Sequence, residues 1–174
     1  MKTINNSRSF FKKARPSFRT VGSRRGSMLI EAIVVVSVII ISILSALSVT
    51  QKSISLARQS LHQSQAAFLL EEGAEAVRIM RDNAWSNISS LTLSTDYYPA
   101  FSAGTWTLSL TPSQVGIFTR KVVISSAYRD ANQNLASSGT LDSQTKLVTV
   151  TVSWMEGEQT FSKTLQFYLT DIFS

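Results

Sequence analysis

The chain contains no cysteine. Disulfide scaffolds, thiol nucleophiles and cysteine-based zinc sites are therefore excluded. It has one histidine, His62, which leaves little room for a His-based metal site or a Ser-His-Asp triad. Helix breakers are scarce over a long stretch. Residues 17–98 contain no proline, and Gly73 is the only glycine between Gly26 and Gly104. Acidic residues are missing from 1–26, where eight basic ones stand: Lys2, Arg8, Lys12, Lys13, Arg15, Arg19, Arg24 and Arg25. Residues 27–174 carry nine basic and eleven acidic groups, so the net +6 divides into +8 for a short arm and −2 for the rest. The basic character belongs to that arm, and no nucleic-acid-binding domain is indicated. With 174 residues, one modest domain plus accessory segments is expected.

What the chain does have is a long apolar run. Ser27–Val49 reads SMLIEAIVVVSVIIISILSALSV, with one charge, Glu31, and neither proline nor glycine. As a helix it spans roughly 30–35 Å, enough to cross a bilayer core. Its Ile and Val content would suit a buried strand, but such strands run only about 4–8 residues. The basic arm ahead of it is expected to stay in the cytoplasm, leaving the C-terminal part outside. Three plainer readings compete. One is a secretory signal cleaved near Ala46 and Ser48, although such signals have apolar cores of about 7–15 residues. The others are an unprocessed single-pass anchor and a buried helix of a soluble domain.

Glu31 is the oddity in this run. A charge inside an apolar helix costs about 2.5–3.5 kcal/mol at the bilayer centre and less near its edge. Glu31 lies one turn into the run, and no Lys or Arg within 27–49 can pair with it. Its partner is expected to come from another molecule. The local sequence is Arg24-Arg25-Gly26-Ser27-Met28-Leu29-Ile30-Glu31. A basic leader ends in Gly, and Glu follows at the fifth position of a long apolar helix. This resembles the class III signal of type IV prepilins and of the pseudopilins of type II secretion and competence systems.

The resemblance implies cleavage between Gly26 and Ser27 by a prepilin peptidase, usually with methylation of the new N-terminus. Ser27 stands where the family most often has Phe. The leader of 26 residues is longer than in many major pilins, which points to a minor pilin or pseudopilin. The resemblance further implies that Glu31 of an incoming subunit neutralises the Ser27 amine of a subunit already assembled. The implied partners are the peptidase, other pilin or pseudopilin subunits, an inner-membrane assembly platform and membrane lipid. No nucleic acid is among them.

Past Val49 the composition turns polar without a breaker. Ala66, Leu69, Leu70, Gly73, Val77, Met80 and Ala84 recur at steps of three or four, marking one helix face. Glu71, Glu72, Glu75 and Arg78 fall on the other. One continuous helix of about 55 residues is predicted, half lipid-facing and half amphipathic. The alternative is two helices hinged near Thr50–Ser53. Trp85 is read as an anchor packing the helix end against the head, and Asn83 as its C-terminal cap. His62, set among Gln and Ser, is read as solvated or subunit-facing.

Residues 87–101 read as a loop. Period-two patterns then predict strands over 104–110, 117–127, 146–155 and 159–170, with a tight turn at Glu156-Gly157. The fold class is therefore α+β: a long N-terminal helix packed on an antiparallel sheet of about four strands. The divisions are a leader 1–26, an assembly helix 27–49, its amphipathic continuation 50–85 and a β-sheet head 86–174.

Residues 129–134 resemble the start of a calcium loop, with oxygens at Asp130, Asn132 and Asn134. Leu135 replaces the expected Gly and Leu141 the expected Glu, although Asp142 is placed to close a site. The plainer reading is a polar turn. No other cofactor is expected, and no catalytic residues are assigned. The resulting expectation is a non-enzymatic structural subunit of a type IV pilus or a secretion or competence pseudopilus. The alternative is an unprocessed membrane-anchored binding or adhesion domain.

Overall fold

A computed structural model describes residues 24–172. It opens with helix α1, Arg24–Asn83, 60 residues long. The helix runs without a break through Thr50–Ser53. That continuity follows from the missing prolines and the single interior glycine. Two units are compact within themselves, one ending at Lys52 and one beginning at Ser53.

The first unit contributes the apolar part of α1. Its large side chains, from Met28 to Val49, are each at least half exposed. Among the described residues, one helix, Gly26–Asn83, is long and apolar enough to cross a membrane.

In the second unit α1 ends near a short helix, α2, Ser86–Ser89. The strands follow as β1 Asp96–Ser102, β2 Thr105–Ser109, β3 Gln114–Val115, β4 Phe118–Arg129, β5 Leu135–Ala136, β6 Thr140–Glu156 and β7 Gln159–Thr170. They form one sheet ordered β2-β1-β4-β6-β7, with β3 and β5 also pairing β4. Every pairing is antiparallel.

The register puts Val122 against Val150, Ile124 against Val148 and Phe118 against Trp154. Leu165 lies against Val150, and Phe161 against Trp154. This apolar face forms one core with Ala66, Leu70, Ala74, Val77 and Met80 of α1. The period of two in the strands thus meets the period of 3.6 in the helix.

The sheet departs from the expected four strands: it has seven. Residues expected as a loop contain β1, whose Tyr97 and Pro99 are buried. Proline is tolerated there because β1 pairs β4 only at Asp96 and Tyr97 and has β2 alone alongside the rest. The strands β3 and β5 span two residues each, too short to show a period. β6 begins six residues earlier than expected, because a register shift after Ser126 lets pairing resume at Asp142.

The end of α1 also differs from expectation. Asn87 Nδ2, not Asn83, donates to the Met80 carbonyl at 3.0 Å. Trp85 is half-buried and packs against the core.

Gly73 marks the closest approach of helix to sheet. A Cβ there would lie 2.9 Å from Val150 Cγ1 and 3.0 Å from Arg120 Cδ. Both neighbours are held in the core, Val150 fully buried and Arg120 nearly so. A glycine inside a helix costs about 1 kcal/mol of propensity, so its presence here reflects space. Gly73→Val is expected to destabilise the protein by about 2–3 kcal/mol through overpacking. Thermal unfolding of the full chain in detergent checks this, and an unchanged midpoint would contradict it.

Candidate assembly site

Gly26, Ser27 and Glu31 all lie in α1 and are exposed. Ser27 and Glu31 are four residues apart, so they share one face of the helix, one turn from each other. Lys2, Arg8, Lys12, Lys13, Arg15 and Arg19 of the leader lie outside the described residues. The leader-based expectation of orientation lies there with them.

The rest of the apolar stretch is prepared for a medium without water. Ser37 Oγ donates to the Ile33 carbonyl at 2.7 Å, and Ser42 Oγ to Val38 at 2.7 Å. Ser45, Ser48 and Thr50 bond back in the same way to Ile41, Leu44 and Ala46. Each hydroxyl is satisfied within its own helix, so lipid would orphan none of them. Glu31 differs. Among the described residues no group forms an ion pair or hydrogen bond with it. A carboxylate in an apolar surroundings gains most from a cation brought by another molecule.

His62 is about a quarter exposed and is bonded within its own chain. Its Nδ1 lies 2.9 Å from Glu156 Oε1, tying α1 to the β6–β7 hairpin. Its ring meets Phe118 edge-on at 6.1 Å between centroids. The same Glu156 oxygen accepts from Trp154 Nε1 at 2.9 Å. The indole donor, followed by His62, holds the Glu156 carboxyl below the usual range. No spacing rule marks this pair, because 94 residues separate its members.

Arg120 is a second tie that the sequence did not reveal. It is 4% exposed and sits on the sheet face that meets α1. Its guanidinium pairs with Glu72 at 2.9 Å and lies over the Trp106 ring at 5.4 Å. Strict alternation along β4 places it inward with Phe118 and Val122, where a long cation survives only when paired.

The calcium candidates take up different roles. Asp130 Oδ1 accepts from the backbone N–H groups of Asn132 and Asn134, both at 2.8 Å. Asn134 Nδ2 reaches Asp130 Oδ2 at 3.4 Å. Asp142 instead takes Arg129 Nε at 2.7 Å and the Gln144 N–H at 2.9 Å. The Asn134 N–H lowers the pKa of Asp130, and the Thr145 hydroxyl followed by Arg129 lowers that of Asp142. Three of the four residues therefore share an Asx-type turn, and the fourth faces a guanidinium. Nearby, a Cβ on Gly139 would fall 2.2 Å from the Arg129 carbonyl oxygen, so the approach to β6 admits only glycine. Among the described residues no group of three or more His, Asp or Glu side chains converges. The acidic run disperses, with Glu72 on Arg120 and Glu75 on Arg78.

No protein-family model, curated protein or solved structure matches this chain.

The Glu156 contacts give a pH dependence of known sign. A carboxyl with a depressed folded-state pKa adds stability above its unfolded value, about 4.3, and that stability disappears as pH falls through the folded value. Glu156→Gln is therefore expected to lower the unfolding midpoint at neutral pH and to narrow its gap from the parent below pH of about 4. Thermal scans of both proteins across this range check it. A gap that widens in acid would show that Glu156 is not the titrating partner.

Proposed function

We propose that this protein is a pilin-like structural subunit, a type IV pilin or pseudopilin, assembled through its N-terminal helix after proteolytic removal of residues 1–26. One observation carries the reading. Gly26, Ser27 and Glu31 stand in that order near the start of an unbroken helix whose apolar stretch, 27–49, has Glu31 as its only charge.

The precursor is anchored in the cytoplasmic membrane by 27–49, with its basic leader in the cytoplasm and its head outside. A prepilin peptidase hydrolyses the Gly26–Ser27 peptide bond. Gly26 lies in the first turns of α1, where N–H groups lack helical partners, so opening it for a protease costs little. Glycine also presents no side chain to a narrow subsite. Hydrolysis turns an uncharged peptide nitrogen into an α-ammonium with a reference pKa of about 8.

That ammonium is the cation Glu31 lacks. An incoming subunit whose Glu31 meets the Ser27 amine of its neighbour removes two charges from lipid together, which costs far less than removing either alone. The match also fixes register, since a shift of four residues corresponds to about 6 Å along the axis. The cytoplasmic-membrane assembly platform and neighbouring subunits are the partners, and the chain performs no chemistry of its own.

N-terminal sequencing and intact mass of the membrane-extracted protein, from cells with and without the peptidase, test this. A peptidase-dependent N-terminus at Ser27 is expected. Met1 retained in both strains would make the protein an ordinary anchored domain. A cut near Ser48 would make the helix a secretory signal.

A further inference from the structure

Helix α1 and the turn joining β3 to β4 enclose a cleft of about 520 Å³. Phe68 and Leu69 wall it on the helix side, and Val115, Ile117 and Phe118 on the sheet side. All of them belong to the second unit. Phe68, Val115 and Ile117 are 70%, 48% and 49% exposed, so the core leaves this apolar surface open. Clefts of about 300–1,000 Å³, mostly apolar with a few placed polar groups, are the common form of small-molecule sites. Two polar side chains reach this one, His62 and Gln65. No Lys, Arg, Asp or Glu side chain lines it.

The chemistry of the cleft is set by His62. Its Nδ1 lies 2.9 Å from Glu156 Oε1, which also accepts from the Trp154 indole N–H at 2.9 Å. An ionised carboxylate can only accept, so Nδ1 carries the proton. In the neutral imidazole Nε2 is then a bare acceptor. Among the described residues no group bonds Nε2, and it is not an orphan sealed from water. Glu156 is not part of the cleft wall. The ring therefore turns Nδ1 away from the cleft and leaves Nε2 on the cleft side. The edge-on contact with Phe118, at 6.1 Å between centroids, holds that orientation. A fixed acceptor beside apolar walls suits a ligand with an apolar body and one hydrogen-bond donor. Phe68 and Phe118 supply aromatic surface for a ring. A charged ligand would find no counter-charge there and would lose water without return.

We infer that this cleft is a binding site for a small uncharged molecule with an aromatic ring and a hydroxyl group, a phenol or aryl alcohol, whose hydroxyl donates to His62 Nε2. Every wall lies within residues 62–118, so the site is the same whether or not residues 1–26 are removed.

His62 is the only histidine, so its imidazole gives a single set of nitrogen NMR signals. The full chain in detergent micelles is labelled and held at a pH of about 8, where phenol keeps its proton. The nitrogen shifts are expected to show Nδ1 protonated and Nε2 bare. Phenol, the probe, is expected to move the Nε2 signal saturably. Anisole has the same ring and no donor, and is expected to bind about tenfold more weakly. Phe68→Ala, at an exposed position, is expected to weaken phenol several-fold. Ile117→Trp is expected to abolish its effect by filling the cleft, with the head fold checked by circular dichroism. A bare Nδ1, a Nε2 signal unmoved by phenol, or anisole binding as tightly as phenol would each overturn the assignment. Phenol binding unchanged in Phe68→Ala would overturn it too, and that variant decides alone if Ile117→Trp does not fold.

Discussion

A single carboxylate on a long apolar helix is the constraint on which the rest depends. Ser27–Val49 presents large apolar side chains on every side and hides none of them within the chain. Only lipid or other helices can cover such a surface. Ser37, Ser42, Ser45, Ser48 and Thr50 close on their own backbone, so they ask nothing of the surroundings. Glu31 differs, because a carboxylate in lipid is costly unless a cation meets it. Dispersion and apolar burial are nearly indifferent to axial sliding, whereas a charge pair in a low dielectric is not. In the proposed assembly, Glu31 therefore decides where a helix stops, and the apolar residues decide how firmly it stays.

The head meets a different demand, which is to hold a broad sheet on one helix face with little room between them. Gly73 supplies the room, bringing α1 within contact of Val150 and Arg120. Arg120 and His62 then bind that helix to the sheet by charge and hydrogen bonding, through Glu72 and Glu156 respectively. Glu72 is about half exposed, so water screens part of the Arg120 pair. Much of its value is in pairing a guanidinium that the close approach has buried, although the Arg120 Nε has no hydrogen-bond partner among the described residues. With these ties made on one side of α1, Ile54, Leu61 and Phe68 stay exposed on the opposite side.

Much of this architecture was legible in the sequence because it rests on local periodicity. The lack of prolines announced the unbroken helix, and alternation in 146–155 and 159–170 announced β6 and β7. The missed strands failed that test for physical reasons. β1 holds Pro99 and sits among Ser and Thr, and β3 and β5 are shorter than one period. The His62–Glu156 and Arg120–Glu72 pairs were hidden because they join residues far apart in the chain, where no spacing rule reaches. For the same reason Asn87, rather than Asn83, emerged as the cap of α1 only from the fold. The motif at Gly26, Ser27 and Glu31 was visible because its elements share one stretch of helix.

The most direct measurement compares filament assembly of Glu31→Gln with the parent chain, both processed at Ser27 and both with a folded head by circular dichroism. Glutamine keeps the size and polarity of the side chain and removes only the charge. If a charge pair with the Ser27 amine sets the register, the processed variant should remain in the membrane and be lost from filaments. Filaments formed at the parent's level by Glu31→Gln would contradict that role for Glu31.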